Sequence, residues 1–302
     1  MKIIIGGSTG FVGTALVDRL RGAGHDVVRL VRREPAGPDE VAWRPSIEPL
    51  DPAVVDGADA AINLAGAGVS DRRWDAAYKA LIRSSRVNTT HALATAVAAA
   101  DRPPRVLLNA SAVGFYGDTG DTEVDESAPP GDGYLPDVCR VWEAATASAE
   151  EAGIRVAHLR FGYVLGPDGG LLRPLVRVFR LGLGGRLGSG QQWMPWISRA
   201  DAVSAIELLL GSDAARAVNV TGPVNLTGPA PVRNIDFTRT LGKVLGRPAV
   251  LAVPGFALRL VLGEFGGEAL VSQRVLPAVL TGAGFRFEHT ELESALRWSL
   301  AQ

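Results

Sequence analysis

The opening residues of the chain, KIIIGGSTGFVG at positions 2–13, leave few ways for it to begin folding. Ile3, Ile4 and Ile5 form an unbroken apolar run, which a parallel strand needs when both of its faces are covered. Gly6, Gly7, Gly10 and Gly13 come next, and then TALVDRL has helical spacing, with Phe11, Leu16 and Leu20 available to one face. Strand, glycine turn and helix in that order give a glycine motif its meaning. Gly7 suits the tight turn, Gly10 lets backbone approach a pyrophosphate, and Gly13 lets the helix lie close on the strand. The free N–H groups and positive dipole end of the helix would then face the phosphates. The plainer reading is a glycine-rich turn that binds nothing. At the head of this chain the dinucleotide reading is the stronger one, with Gly7, Thr9, Gly10, Phe11, Val12 and Gly13 as its residues.

Strand and helix patterns alternate after this unit. Asp26 to Val31 reads as a second strand, Val41 to Trp43 as a short edge strand, and Ala60 to Leu64 as the next. A long helix spans roughly 74–100, a strand begins at Arg105, a helix runs from Asp137 to Ala152, and a strand comes after it at Ile154 to Leu159. This order predicts a doubly wound parallel α/β sheet. Helices are expected over 171–181 and 201–210, with a glycine-rich loop at 182–190. After Asn219 the pattern changes to short strands and helices: Val224 to Leu226, a helix capped by Asn234, Val250 to Val253, a helix opened by Pro254, and a final helix whose Thr290 and Glu293 have capping-box spacing. The expected division is a dinucleotide-binding domain over 1–220, with 166–198 contributing to the substrate cleft, and a small C-terminal lobe over 221–302.

The end of the second strand is where such a sheet meets the adenosine ribose. An acid there would bond the ribose 2′-OH and repel a 2′-phosphate. This chain has Arg32-Arg33 instead, and a guanidinium can hold a phosphate in a bidentate pair. The plainer reading is a solvated arginine pair at a strand end; the 2′-phosphate reading is the stronger one, and by it Arg32 selects NADP over NAD. Leu64, Ala65 and Gly66, at the end of the strand that starts at Ala60, would let backbone lie against the cofactor. Arg86, midway along the long helix, could reach the phosphates or be solvated.

Composition narrows the rest. The 31 basic and 32 acidic residues among 302 leave a net charge of −1, which gives no footprint for nucleic acid. The one cysteine, Cys139, excludes an internal disulfide and suits a reducing, cytoplasmic setting. The apolar run after Lys2 is too short for a leader, and the longest later one is broken by Pro254, Gly255 and Arg259, so no membrane span is expected. His25, His91, His158 and His289 lack metal-ligand spacing. A monomer or homodimer is expected.

GGSTGFVG at the start, INLAG at 62–66, ASAVGFYGD at 110–118, LRFGYVLGP at 159–167 and MPWISRAD at 194–201 resemble the extended short-chain dehydrogenase/reductases. More narrowly, they resemble the atypical, nucleoside-diphosphate-sugar epimerase-like branch. The resemblance covers essentially the whole chain. It implies a Rossmann fold, a nicotinamide cofactor and a C-terminal substrate lobe. It also implies a serine, here Ser111, and a tyrosine with a lysine four residues on that drive proton transfer. Aligned on Glu143, those last two positions hold Leu135 and Cys139, which cannot do that work. Ser198 stands where related chains often have histidine.

Tyr116, five residues past Ser111, is the nearest substitute donor in sequence, against the alternative that it packs under its loop. Ser111 reads as a substrate or nicotinamide contact or as a turn serine, and Cys139 as a small buried residue rather than a nucleophile. Two functions stand. One is an NADP(H)-dependent oxidoreductase or epimerase-type enzyme on a small polar molecule, using unusual proton-transfer residues. The other is an NADP(H)-binding sensor or interaction protein without turnover.

Overall fold

The computed structural model describes residues 1–211 and 219–301. Of the two expected domains, positions 212–218 of the first and 302 of the second lie outside the described residues. A seven-stranded sheet organises the molecule. Its strands are β1 (Lys2–Gly6), β2 (Asp26–Val31), β3 (Glu40–Ala42), β4 (Ala60–Asn63), β5 (Val106–Ala112), β6 (Arg155–Phe161) and β7 (Gly222–Leu226). They lie side by side in the order β7-β6-β5-β4-β1-β2-β3, every pair parallel. The isoleucine run is thus an interior strand, and the doubly wound α/β expectation holds.

Alternation along β1 divides its side chains between two cores. Ile3 and Ile5 join the core shared with helix α1 (Phe11–Gly22), through Leu16, Val17 and Leu20. Ile4 joins the opposite core with Leu93, Ala96 and Val97 of helix α2 (Ala76–Ala99). The first core also takes Ala202, Ile206 and Leu209 from the helix Arg199–Leu210. Both faces of β1 are therefore dry, which an all-apolar strand without alternation requires.

Three local expectations need correcting. The helix read from Asp137 to Ala152 is two helices, α3 (Tyr134–Ala144) and α4 (Ala147–Glu151), parted where the Thr146 hydroxyl donates to the Glu143 carbonyl at 2.7 Å. Asn234 does not cap the helix Asn234–Leu245. Its side chain accepts from the Leu187 N–H at 2.8 Å and reaches the Met194 sulfur, pinning the short strand Gly185–Leu187 inside the expected glycine loop. No capping box forms at the last helix, Leu292–Leu300, because Glu293 turns to Lys243 and Arg297 instead.

The strand around Val224, expected in the C-terminal lobe, is β7, an edge of the main sheet paired with β6 from Gly222↔Ala157 to Leu226↔Phe161. The lobe has its own core, where Leu165, Leu172, Phe179, Met194 and Trp196 meet Phe237, Leu241, Leu292 and Leu296. The chain therefore passes from sheet to lobe, back through β7, and into the lobe again.

Candidate functional site

Loops from four strands gather at the carboxyl edge of the sheet, where open parallel sheets place their ligands. After β1, Gly7 takes a positive φ of 80°. A Cβ on Gly7 would come within 2.5 Å of the Leu64 carbonyl carbon, so the two loops lie back to back. The Gly10 N–H donates to the Gly7 carbonyl at 3.0 Å, which closes the turn. A Cβ on Gly13 would collide with that same carbonyl oxygen. Gly10 is the N-cap of α1, with no side-chain cap and no acid in the first turn, so the positive end of the helix opens onto the loop. Thr9 and Gly10 are exposed beside it, and Phe11 and Val12 are half-buried. The Ser8 hydroxyl is buried in the same turn without a partner. An unpaired hydroxyl beside an open helix start, with glycine wherever a side chain would intrude, fits a bound pyrophosphate.

The second loop, Leu64 to Ala67, is held by four side chains. Asn63 accepts from the Ala65 N–H at 3.1 Å and donates to Thr90 and Asn109. The Ser85 hydroxyl accepts from the Ala67 N–H at 3.1 Å, and Thr89 reaches the Ala65 carbonyl at 3.4 Å. Arg86 donates to the Ala67 carbonyl at 2.9 Å and lies on the Trp142 ring at 4.9 Å. So Arg86, a candidate for reaching across to phosphates, is a clamp on the cofactor-side loop, its stem packed against Gly66. Burial holds its guanidinium below the usual arginine value. Asn63, Thr90, Asn109 and Trp142 do not stand out in the sequence as a unit, although Asn63 at the end of the β4 run is the available signal.

At the end of β2 the two arginines part company. Arg33 pairs bidentately with Glu40 at 2.6 and 2.7 Å, and Arg29 joins the same carboxylate at 2.6 Å. Arg32 is exposed and enters no ion pair among the described residues.

The matched family and relatives agree with this geometry. A family model described as the NAD dependent epimerase/dehydratase family matches residues 3–221. The chain belongs to that family. Residues 253–299 match a second model, a domain of unknown function (DUF1731). Epimerase family protein Mb2239 of Mycobacterium bovis is 44% identical, covering 98% of this chain and 97% of that one. The crystal structure of human epimerase family protein SDR39U1 (isoform2) with NADPH superposes with a TM-score of 0.90 at 32% identity, covering 100% of this chain and 99% of that chain. A nucleoside-diphosphate sugar epimerase from Corynebacterium glutamicum gives 0.81 at 37% identity, covering 99% of this chain and 58% of that one.

Where this family is expected to carry its proton relay, the chain has a different polar network. Ser111 at the end of β5 is buried and donates to Glu143 at 2.6 Å. Arg160 grips both oxygens of that carboxylate at 2.8 and 2.9 Å and donates to the Tyr116 hydroxyl at 2.9 Å. Tyr116 in turn donates to Asn225 on β7 at 2.8 Å, and Asn225 reaches the Leu276 carbonyl at 2.9 Å. Tyr116 is 4% exposed, packed with Val113, Phe115, Cys139 and Val275. The tyrosine expected as a donor above the nicotinamide is instead a core member whose proton is already committed, because the turn Val113–Tyr116 directs it under the loop toward Arg160. Burial raises its phenol above the ordinary value.

Leu135 and Cys139 occupy the positions of the missing pair. Cys139 is buried, its thiol pushed up to about 12 chiefly by burial, and it serves as packing. Ser198 caps the helix Arg199–Leu210, accepting from the Asp201 N–H at 2.9 Å and donating to its carboxylate at 2.7 Å.

Proposed function

We propose that this protein is an NADP(H)-dependent oxidoreductase or epimerase-type enzyme acting on a small polar molecule, with a proton donor outside the usual serine–tyrosine–lysine set. The observation that carries the cofactor half is the division of labour between neighbouring arginines: Arg33 is consumed by Glu40, while Arg32 stands unpaired at the strand end that meets the adenosine ribose. Gly7, Gly10 and Gly13 with the open start of α1 would hold the pyrophosphate, the Leu64–Gly66 loop would lie along the cofactor, and Arg32 would take the 2′-phosphate. The cofactor supplies or accepts hydride when bound. Arg86 acts through the loop it clamps, and Ser111 through Glu143.

A second reading, an NADP(H)-binding protein without turnover, is favoured by one observation: Tyr116, Leu135 and Cys139 offer no available acid or base. Calorimetry tests the cofactor half. NADPH is expected to bind at least tenfold more tightly than NADH, since one charge-assisted phosphate contact contributes about 1.5–3 kcal/mol and 1.4 kcal/mol is about tenfold. Arg32→Asp should abolish that preference. Equal affinities in the unmutated protein would overturn it. A panel of carbonyl compounds scored for NADPH oxidation separates the two readings.

A further inference from the structure

Charge is spread unevenly along the chain. From Gly169 to Ala200, and again from Phe237 to Gly263, there is no aspartate or glutamate, yet the two stretches carry nine arginines and lysines in a chain of net charge −1. The fold brings these stretches together. The strand Gly185–Leu187 pairs in parallel with the strand Leu251–Val253, from Leu251↔Gly185 to Val253↔Leu187, and the Leu251 N–H donates to the Gly184 carbonyl at 3.3 Å. Nine large apolar side chains stand exposed among the described residues, and seven of them fall in the same two stretches. Single exposed apolar residues are ordinary, but a gathering of them among cations marks a surface that meets something else.

A cavity of about 400 Å³ lies at this junction. Three arginines line it: Arg186 on the strand Gly185–Leu187, Arg239 on the helix Asn234–Leu245, and Arg247 just beyond that helix. No acid is among its lining residues. Arg186 donates to the Gly188 carbonyl at 2.7 Å, and Arg239 has Asp236 at 3.9 Å in an exposed pair. Such a pair offsets little charge. Neither Arg186 nor Arg247 enters an ion pair among the described residues. Three guanidiniums with their charge largely uncompensated suit a phosphate. The rim of the cavity is apolar. Val250 and Leu251 line it and are 84% and 43% exposed, and Leu183, next to Gly184, is 54% exposed. The next element, the helix Gly255–Leu262, exposes Phe256 and Leu260 one turn apart, with exposed Arg259 beside Leu260 in sequence. A phosphate free in solution would need the arginines alone, and would leave the apolar rim in water.

We propose that this face docks on the surface of an anionic phospholipid membrane, with a lipid phosphate seated among Arg186, Arg239 and Arg247 while Val250 and Leu251 enter the boundary between headgroups and acyl chains. The attachment is peripheral, since no helix among the described residues is long and apolar enough to cross a membrane. A lipid surface answers both halves of the observation. Its negative headgroups attract clustered arginines, and its interfacial layer takes exposed apolar tips out of water. A second copy of the chain fits less well, because a symmetric contact through this face would set three arginines against three. None of the residues lining the cavity is among those placed at the cofactor, so docking and cofactor binding use separate sites.

The test is sedimentation of the whole chain with vesicles of phosphatidylcholine alone, and with vesicles of equal parts phosphatidylcholine and phosphatidylglycerol. Binding to the anionic vesicles only, weakening as salt rises, is the expected result. The double variant Arg239→Gln, Arg247→Gln should bind them about thirtyfold more weakly, each arginine near the surface counting for about fivefold. Val250→Ser should weaken binding without changing its salt dependence. All these side chains are exposed, and circular dichroism and NADPH fluorescence titrations matching the unmutated protein show that the variants fold. Equal binding to both vesicles, or full binding by the double variant, overturns the proposal. No binding to either overturns it and leaves the face to an acidic protein surface. Calorimetric binding of glycerol 3-phosphate as tight as that of the vesicles assigns the arginines to a soluble phosphate and overturns the lipid. A dimer in analytical ultracentrifugation that Val250→Ser dissolves overturns it in favour of a second copy.

Discussion

Tyr116 shows how one hydroxyl can be unavailable to substrate and still matter. It accepts from Arg160 and donates to Asn225, so removing it strands two buried partners. Tyr116→Phe is expected to destabilise the fold by about 1–3 kcal/mol in urea denaturation, the cost of leaving buried polar groups unsatisfied. NADPH affinity and any carbonyl turnover should stay within twofold. A rate loss without a stability loss would restore Tyr116 as a donor. Its residue type and its distance from Ser111 are legible in the sequence. Its direction is not, because that is set by Arg160 and Asn225, which lie 44 and 109 positions away.

At the scale of elements, the β1–turn–α1 unit is the most readable part of the chain. Apolar run, glycine spacing and helix period all describe local geometry, and local geometry is what a short stretch of sequence determines. Gly13 is its tightest point, lying on the Gly7 carbonyl. Gly13→Ala is expected to cost about 1–3 kcal/mol by overpacking, and to weaken NADPH binding because α1 must move off the turn that its start completes. Thermal melts with and without NADPH check both parts. A variant with unchanged melting and a full cofactor-induced shift would mean that the helix has room to spare. Capping signals at Asn234 and Glu293 mislead for the opposite reason: both residues find tertiary partners, and a tertiary contact overrides a local pattern.

Across the whole molecule, the lobe and the sheet are interleaved rather than strung in series. Residues around 163–198 enter the lobe core, the chain returns to lay down β7, and Phe237, Leu241 and Leu296 then finish that core. Tyr163 donates its N–H to the Pro195 carbonyl at 2.8 Å, and Gly162 to the Leu226 carbonyl at 3.1 Å, so both halves share backbone contacts at the cleft. Thermal unfolding is accordingly expected as one transition, with far-ultraviolet circular dichroism and tryptophan fluorescence superimposing. Trp196 in the lobe and Trp142 in the Rossmann half report the two regions. A fluorescence step that does not coincide with the circular dichroism transition would show one of the two regions melting alone. The switch from alternating units to short strands after Asn219 is visible in the sequence. That Val224 serves the sheet is not, because a five-residue strand bears no mark of which edge it joins.

The late position of β7 has a consequence for synthesis. Its parallel neighbour β6 ends at Phe161, and β7 is complete only at Leu226, 226 − 161 = 65 residues later. At about 5–20 residues per second, a nascent chain carries that open sheet edge, with Val156 and Leu159 along it, for about 3–13 s before its own partner strand emerges. During that interval the ribosome-bound protein presents an unpaired template of the kind that invites pairing with a stranger, and chaperone contact in that window should fall on Arg155–Phe161.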